Sequence, residues 1–135
     1  MAPRMFSLTG TRKYIDMKAK ILIVEDEPLV RMFAVDLAQD AGFETLEAED
    51  ADSALKILVA VIDICIVMTD IDMPGSMNGL KLAEVVHDRW PNVSIVVVSG
   101  KQRPDEADLP RDAVFFSKPY SATRLADQLI KMAPA

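Results

Sequence analysis

The chain has 135 residues, half of them apolar and 27% charged, enough for one globular domain with a real core and too few for a second. No apolar run approaches the roughly 18 residues that cross a bilayer, and the single cysteine, Cys65, excludes an internal disulfide. The net charge is −6, yet residues 1–20 hold five Lys/Arg against one acid, so the other 115 carry about −10, a body that repels nucleic-acid phosphates and suits a divalent cation.

Residues 1–18 form a basic leader without the apolar segment of a signal peptide, and read as a flexible tail ahead of a domain over 19–133. The cytoplasm is the expected compartment. Ile21–Val24 is an apolar run of strand length that stops at Glu25 and Asp26. Pro28 suits the first turn of a helix, because its missing N–H costs nothing there. Leu29, Val30, Phe33, Leu37 and Ala38 follow at helical spacing, predicting an inward face, and Gly42 closes the helix. Phe43–Glu47 is a short second strand. Asp50 or Asp52 caps a helix that runs to about Val59, with Leu55 and Leu58 inward.

Ile64–Met68 is a second wholly apolar strand and ends in Thr69-Asp70, with Cys65 a buried, inert thiol inside it. Residues 74–79 are a loop by composition, Leu80–Arg89 a helix that Trp90 packs at its end, and Val93–Val98 a further buried strand ending in Ser99-Gly100. Val114–Phe116 is the last strand and leads into Ser117-Lys118-Pro119. Ser121 caps a final helix with Leu125, Leu129 and Ile130 on one face. Continuously apolar strands alternating with helices predict an α/β fold, a parallel sheet covered on both faces.

The polar residues that stand out share one place in this pattern. Glu25, Asp26, Asp70, Ser99 and Lys118 each follow the carboxyl end of a different buried run, except that Glu25 and Asp26 share one. In an open doubly wound sheet those ends line a single edge, where ligands bind. Three carboxylates brought together repel unless a cation neutralises them. Their hardness suits Mg²⁺, which leaves positions open for phosphate oxygens. Lys118 offers a mobile charge, Ser99 a hydroxyl donor, and an aspartate in such surroundings can act as a nucleophile toward phosphorus.

With these motifs in order (Glu25-Asp26, Asp70-Ile-Asp-Met-Pro-Gly, Ser99-Gly100, Lys118-Pro119), residues 19–133 resemble a response-regulator receiver domain of two-component systems. Each motif alone is weak; the four together are specific. The resemblance implies a flavodoxin-like, doubly wound five-stranded parallel sheet of order 2-1-3-4-5. It implies Asp70 as phosphoacceptor, Asp26 and Glu25 as Mg²⁺ ligands (the second through water), and the Asp72 backbone carbonyl as a further ligand. Ser99 and Lys118 would bond the phosphoryl group, and Phe115 would be the aromatic switch. The donor would be a sensor histidine kinase or phosphotransfer protein. The protein would catalyse its own phosphorylation and dephosphorylation rather than turn over a free substrate. With only three residues after the last helix, a stand-alone receiver is expected, similar to single-domain receivers of alphaproteobacteria. It would signal to a protein partner or act as a phosphate sink, and a weak homodimer is compatible with it.

Two departures accompany the resemblance. The loop after Asp70 is one residue longer than the commonest form. Residues 101–110, where the fourth helix of the fold belongs, contain Pro104 and Pro110 with only Ala107 and Leu109 as apolar positions, so a short turn or irregular segment is expected. Asp72 and Lys101 flank the site and are expected to tune the phosphoryl lifetime. Two rival functions compete. Asp70-Ile-Asp72 mimics the nucleophile motif of haloacid-dehalogenase-type phosphatases, but the chain is short for that fold and its cap. A receiver-like module that no longer takes phosphate would not need the complete acid set, Ser99 and Lys118.

Overall fold

The computed structural model describes the backbone of residues 4–8 and 11–15 and, with side chains, residues 18–101 and 103–134. In chain order the elements are β1 (Arg4–Leu8), β2 (Thr11–Ile15), β3 (Lys20–Val24), α1 (Pro28–Asp40), β4 (Glu44–Ala48), α2 (Ala51–Ala60) and β5 (Ile64–Asp70). They continue with α3 (Gly79–Arg89), β6 (Ser94–Ser99), a single 3₁₀ turn (Glu106–Asp108), β7 (Val114–Ser117) and α4 (Ala122–Met132).

Strands β4-β3-β5-β6-β7 form one sheet in that spatial order, every pair parallel. Counted from β3, this is the expected order 2-1-3-4-5. The sheet divides the interior into two cores. One, under α1 and α4, contains Ile21, Ile23, Ile66, Met68, Val96, Val98, Leu125 and Leu129. The other, under α2 and α3, contains Leu22, Val24, Val67, Val97, Leu58, Leu82 and Val86. Successive strand residues point to opposite faces, so β3, β5 and β6 are apolar throughout the stretches that both cores cover. That is why they read as unbroken hydrophobic runs.

The helix starts follow local chemistry. Pro28 opens α1; Asp50, rather than Asp52, caps α2 by accepting the Ser53 N–H at 2.8 Å; Asn78 caps α3 and Ser121 caps α4. Asp52 instead accepts the Ser76 hydroxyl at 2.7 Å and ties α2 to the loop after Asp70. Trp90 lies at the end of α3, half-buried against the second core, with the Arg89 guanidinium 4.6 Å from its ring centroid.

Three expectations change. Leu29 and Phe33 do not face the core: they are 77% and 58% exposed, and the buried face of α1 is Ala34, Val35, Leu37 and Ala38. The small Ala34 and Ala38 let α1 lie close on the sheet, so bulk gives way to fit. Ile130 likewise points outward while Leu125 and Leu129 are wholly buried. Residues 4–8 and 11–15, where the sequence suggested no elements, form an antiparallel pair with Arg4 opposite Ile15 and Leu8 opposite Thr11. The irregular segment is as expected: between β6 and β7 the only helical piece among the described residues is the three-residue turn.

Candidate functional site

The parallel register brings the strand ends level. Val24 pairs with Thr69, Asp70 with Val98, and Ser99 with Ser117. The residues that follow β3, β5, β6 and β7 therefore meet at one edge, although they span more than 90 positions of sequence. Carboxylate oxygens of Glu25, Asp26 and Asp70 lie within 4.8 Å of one another. Lys118 Nζ donates to Glu25 Oε1 at 2.7 Å and lies 3.4 Å from Asp70 Oδ1. Glu25, Asp70 and Ser99 are buried, Asp26 and Lys118 half-buried. The Lys118–Pro119 peptide is cis.

Electrostatics follow from this crowding. Burial lifts the Asp70 carboxyl above its ordinary range, against the pull of Lys118, with Asp72 and Asp26 adding to the rise. Burial also lifts Glu25, and its hydrogen bond from Lys118 only partly offsets this. Burial works against the Lys118 ammonium, but the two carboxylates outweigh it and its pKa is raised. One ammonium thus faces three carboxylates. A cluster of hard oxygens with one partial counter-charge has the donor chemistry of a divalent-cation site of the Mg²⁺ type. Behind it lies a cavity of about 20 Å³, room for a single water, lined by Glu25, Asp70 and Lys118 together with Val30, Met68, Val98 and Tyr120.

Ser99 and Asp72 meet directly, the hydroxyl donating to Asp72 Oδ2 at 3.1 Å. Phe115 is half-buried against the second core, and the Arg103 guanidinium lies 5.2 Å from its ring centroid. Glu25, Asp26, Asp70, Asp72, Ser99 and Lys118 therefore lie at this edge, whereas Phe115 sits within β7 opposite Val97 and packs on the second core. The Asp72 side chain turns toward Ser99.

Other residues at the edge had no signal in the sequence. Arg31, on α1, donates to the Glu25 carbonyl at 2.7 Å and to Glu47 Oε1 at 3.1 Å, fixing the backbone that carries the acids. The Gly79 N–H bonds the Ile71 carbonyl at 2.9 Å, and a Cβ at Gly79 would overlap the carbonyl of Asp70. Only glycine lets α3 start against the backbone of the central aspartate. The Tyr120 ring stands 6.4 Å from that of Phe33, joining α1 to the segment after Lys118.

Fold and site together define a class: a doubly wound parallel sheet whose strand-end edge carries an acidic cluster answered by one lysine. Residues 21–130 match the family model described as response regulator receiver domain, and the chain belongs to that family. It is 32% identical over 117 residues to the response regulator receiver protein CpdR of Brucella abortus, covering 84% of this chain and 95% of that protein. It is 34% identical to the nitrogen assimilation regulatory protein NtrX of Azorhizobium caulinodans and 35% identical to the sensor kinase CckA of Brucella abortus. Those matches take in 81% and 84% of this chain but only 25% and 12% of the relatives, so the chain spans a minor part of both. Among solved structures, a response regulator receiver protein from Sinorhizobium medicae superposes with a TM-score of 0.79 at 25% identity, over 85% of this chain and 94% of that one. The response regulator TrrA of Thermotoga maritima, in complex with Mg²⁺ and BeF, gives 0.77 at 28% identity over 87% and 100%. No helix among the described residues is long and apolar enough to cross a membrane.

Proposed function

We propose that the protein is a single-domain response regulator whose Asp70 accepts a phosphoryl group from a phosphohistidine on a sensor kinase or phosphotransfer protein. The observation that carries this is the convergence of Glu25, Asp26 and Asp70 within 4.8 Å, with Lys118 hydrogen-bonded to Glu25 and ion-paired with Asp70. The near full-length match to CpdR supports the single-domain reading, and the fold likeness to TrrA held with Mg²⁺ and BeF supports the chemistry.

Mg²⁺, held by Glu25, Asp26, Asp70 and the Asp72 carbonyl, would neutralise charge on the transferring phosphoryl oxygens. An Asp70 carboxylate oxygen attacks phosphorus; a P–O bond forms as the P–N bond to the imidazole breaks, and the imidazole leaves with the electron pair. Lys118 stays within reach of Asp70 and bonds a phosphoryl oxygen as charge moves onto the group.

A donor must reach Asp70 from the strand-end edge. The start of α1 flanks that edge with Leu29, Met32 and Phe33 all more than half exposed. They lead into a groove between α1 and α4 lined by Phe33, Leu37, Ala126 and Ile130. This apolar face suits the docking of an amphipathic helix from the donor.

The test is intact-mass measurement after incubation with Mg²⁺ and a small phosphodonor. Wild type should gain one phosphate and Asp70→Asn none. Turnover of free phosphate esters instead would favour the phosphatase reading. An unmodified wild type would favour a module that works without phosphate.

A further inference from the structure

Ser99 is 1% exposed, and its hydroxyl both donates and accepts a hydrogen bond. The proton goes to Asp72 Oδ2 at 3.1 Å, and the oxygen accepts the Lys101 N–H at 3.1 Å. A hydroxyl carries one proton. Ser99 can therefore donate to the Asp72 carboxylate or to a phosphoryl oxygen on Asp70, and not to both. Lys101 Nζ, 3.9 Å from Asp72 Oδ1, adds a second link across the same gap.

The next residues extend the arrangement. Because the Lys101 N–H is bonded to Ser99, a rotation of Ser99 away from Asp72 disturbs the backbone that follows β6. Arg103, two residues further along, lies over the Phe115 ring. Among the described residues no regular helix braces this stretch; it contains the Asp105–Leu109 turn, where Asp108 N–H bonds the Asp105 carbonyl at 2.9 Å. Side-chain contacts of Lys101 with Asp72, Arg103 with Phe115 and Leu109 with the second core thus help hold a segment that in a helical version would be held by its own backbone.

We infer that the Asp72 side chain is a positioning residue: it holds Ser99 off the phosphoryl site in the unphosphorylated protein and, with Arg103 on Phe115, sets how readily the segment after β6 changes shape. The inference rests on Asp70 being the phosphoacceptor. The mechanism is competition between two acceptors for one proton, with a two-state segment reading the outcome. Asp72 has a 42% exposed side chain, so solvent weakens its hold. Its loss should favour the switched state about 3- to 10-fold, a range set by one hydrogen bond to a charged group discounted for exposure.

The test uses ¹⁵N-labelled full-length protein, with Mg²⁺ and beryllofluoride as the phosphoryl mimic. In unliganded Asp72→Ala, amide resonances of residues 99–101 and 114–117 should move along the line toward the positions of beryllofluoride-treated wild type. Asp72→Asn, which keeps an acceptor oxygen, should move back toward unliganded wild type. Changes confined to residues 70–73, or an Asn variant that behaves like Ala, would overturn the latch. A wild type that responds to beryllofluoride normally, beside an Asp72→Ala with unmoved resonances, overturns the latch alone. A wild type with neither a beryllofluoride response nor a phosphate adduct removes the phosphoacceptor reading and the latch together.

Discussion

Lys118 and Glu25, 93 positions apart, form the shortest ion pair at the site: 2.7 Å, against 3.4 Å from Lys118 to Asp70. The lysine is anchored to the acid beside the candidate nucleophile, and the nucleophile receives the longer contact. Lys118→Met leaves buried Glu25 and Asp70 facing each other without a counter-charge. It should lower stability at neutral pH by about 3 kcal/mol, the usual cost of breaking one side of a buried pair. Urea denaturation measures this, and added Mg²⁺ should restore more stability to the variant than to wild type. An unchanged midpoint would mean that the pair does not neutralise the cluster.

Asp70→Asn should do the reverse. It removes one buried negative charge while Lys118 keeps its bond to Glu25, so no cation is orphaned. A gain of about 1 kcal/mol is expected in metal-free buffer, at the low end of what removal of buried charge yields. The same variant should bind Mg²⁺ more weakly, which titration calorimetry would show.

The raised carboxyls of Asp70 and Glu25 set a pH dependence. A carboxyl whose pKa rises on folding holds its proton more tightly in the native state. Its contribution to stability is complete below the unfolded pKa and is lost as pH climbs through the folded one. In EDTA, the stability of wild type relative to Asp70→Asn should therefore decline as pH rises above about 4, the ordinary aspartate value. Mg²⁺ should flatten the decline, because the cation favours the ionised form. Denaturation midpoints across this range check the sign, and a difference that grows with pH would contradict it.

Gly79→Ala tests the close approach of α3 to Asp70. The added methyl overlaps the Asp70 carbonyl, and both partners are backbone, so relief requires α3 or the end of β5 to move. A loss of about 3 kcal/mol is expected from overpacking. Phosphate uptake should fall as well, whereas Gly42→Ala, with open space around it but a positive φ of 98°, should affect stability alone.

Arg31→Met probes the support of the acidic loop. Its bonds to the Glu25 carbonyl and to Glu47 would vanish while the stem still packs. Mg²⁺ affinity should fall about 3- to 10-fold, less than the full worth of a charge-assisted hydrogen bond because Arg31 acts on the ligands only through the loop backbone. An unchanged affinity would show that Pro28 and the β3 end fix the loop unaided.

The parts of the molecule legible in the sequence are those encoded by unbroken runs. Ile21–Val24, Ile64–Met68 and Val93–Val98 announce buried parallel strands because both faces of each are covered. The polar residues that end them announce the edge. What stayed hidden depends on azimuth and close approach. The outward turn of Leu29 and Phe33 follows from the fit of Ala34 and Ala38 to the sheet, and a pattern weighted by bulk points the other way. The same rotation of α1 brings Arg31 over the acidic loop, which its position in the chain does not announce. Gly79 looked like loop composition, and its role appears only once α3 is placed against Asp70. Asp72 could be read for its carbonyl, but the direction of its side chain is a three-dimensional fact.

The level register of the strand ends has a consequence for how this chain tolerates change in length. Side-chain direction alternates along a strand, so one residue inserted within β5 would turn Asp70 from the edge cluster toward the opposite face. One residue inserted beyond Asp70 leaves every strand in register and only widens the path to Gly79. The longer loop after Asp70 falls on the permissive side of that line. Insertions after Asp26, Asp70 or Ser99 can remodel what the edge meets, while insertions ahead of them dismantle the edge itself.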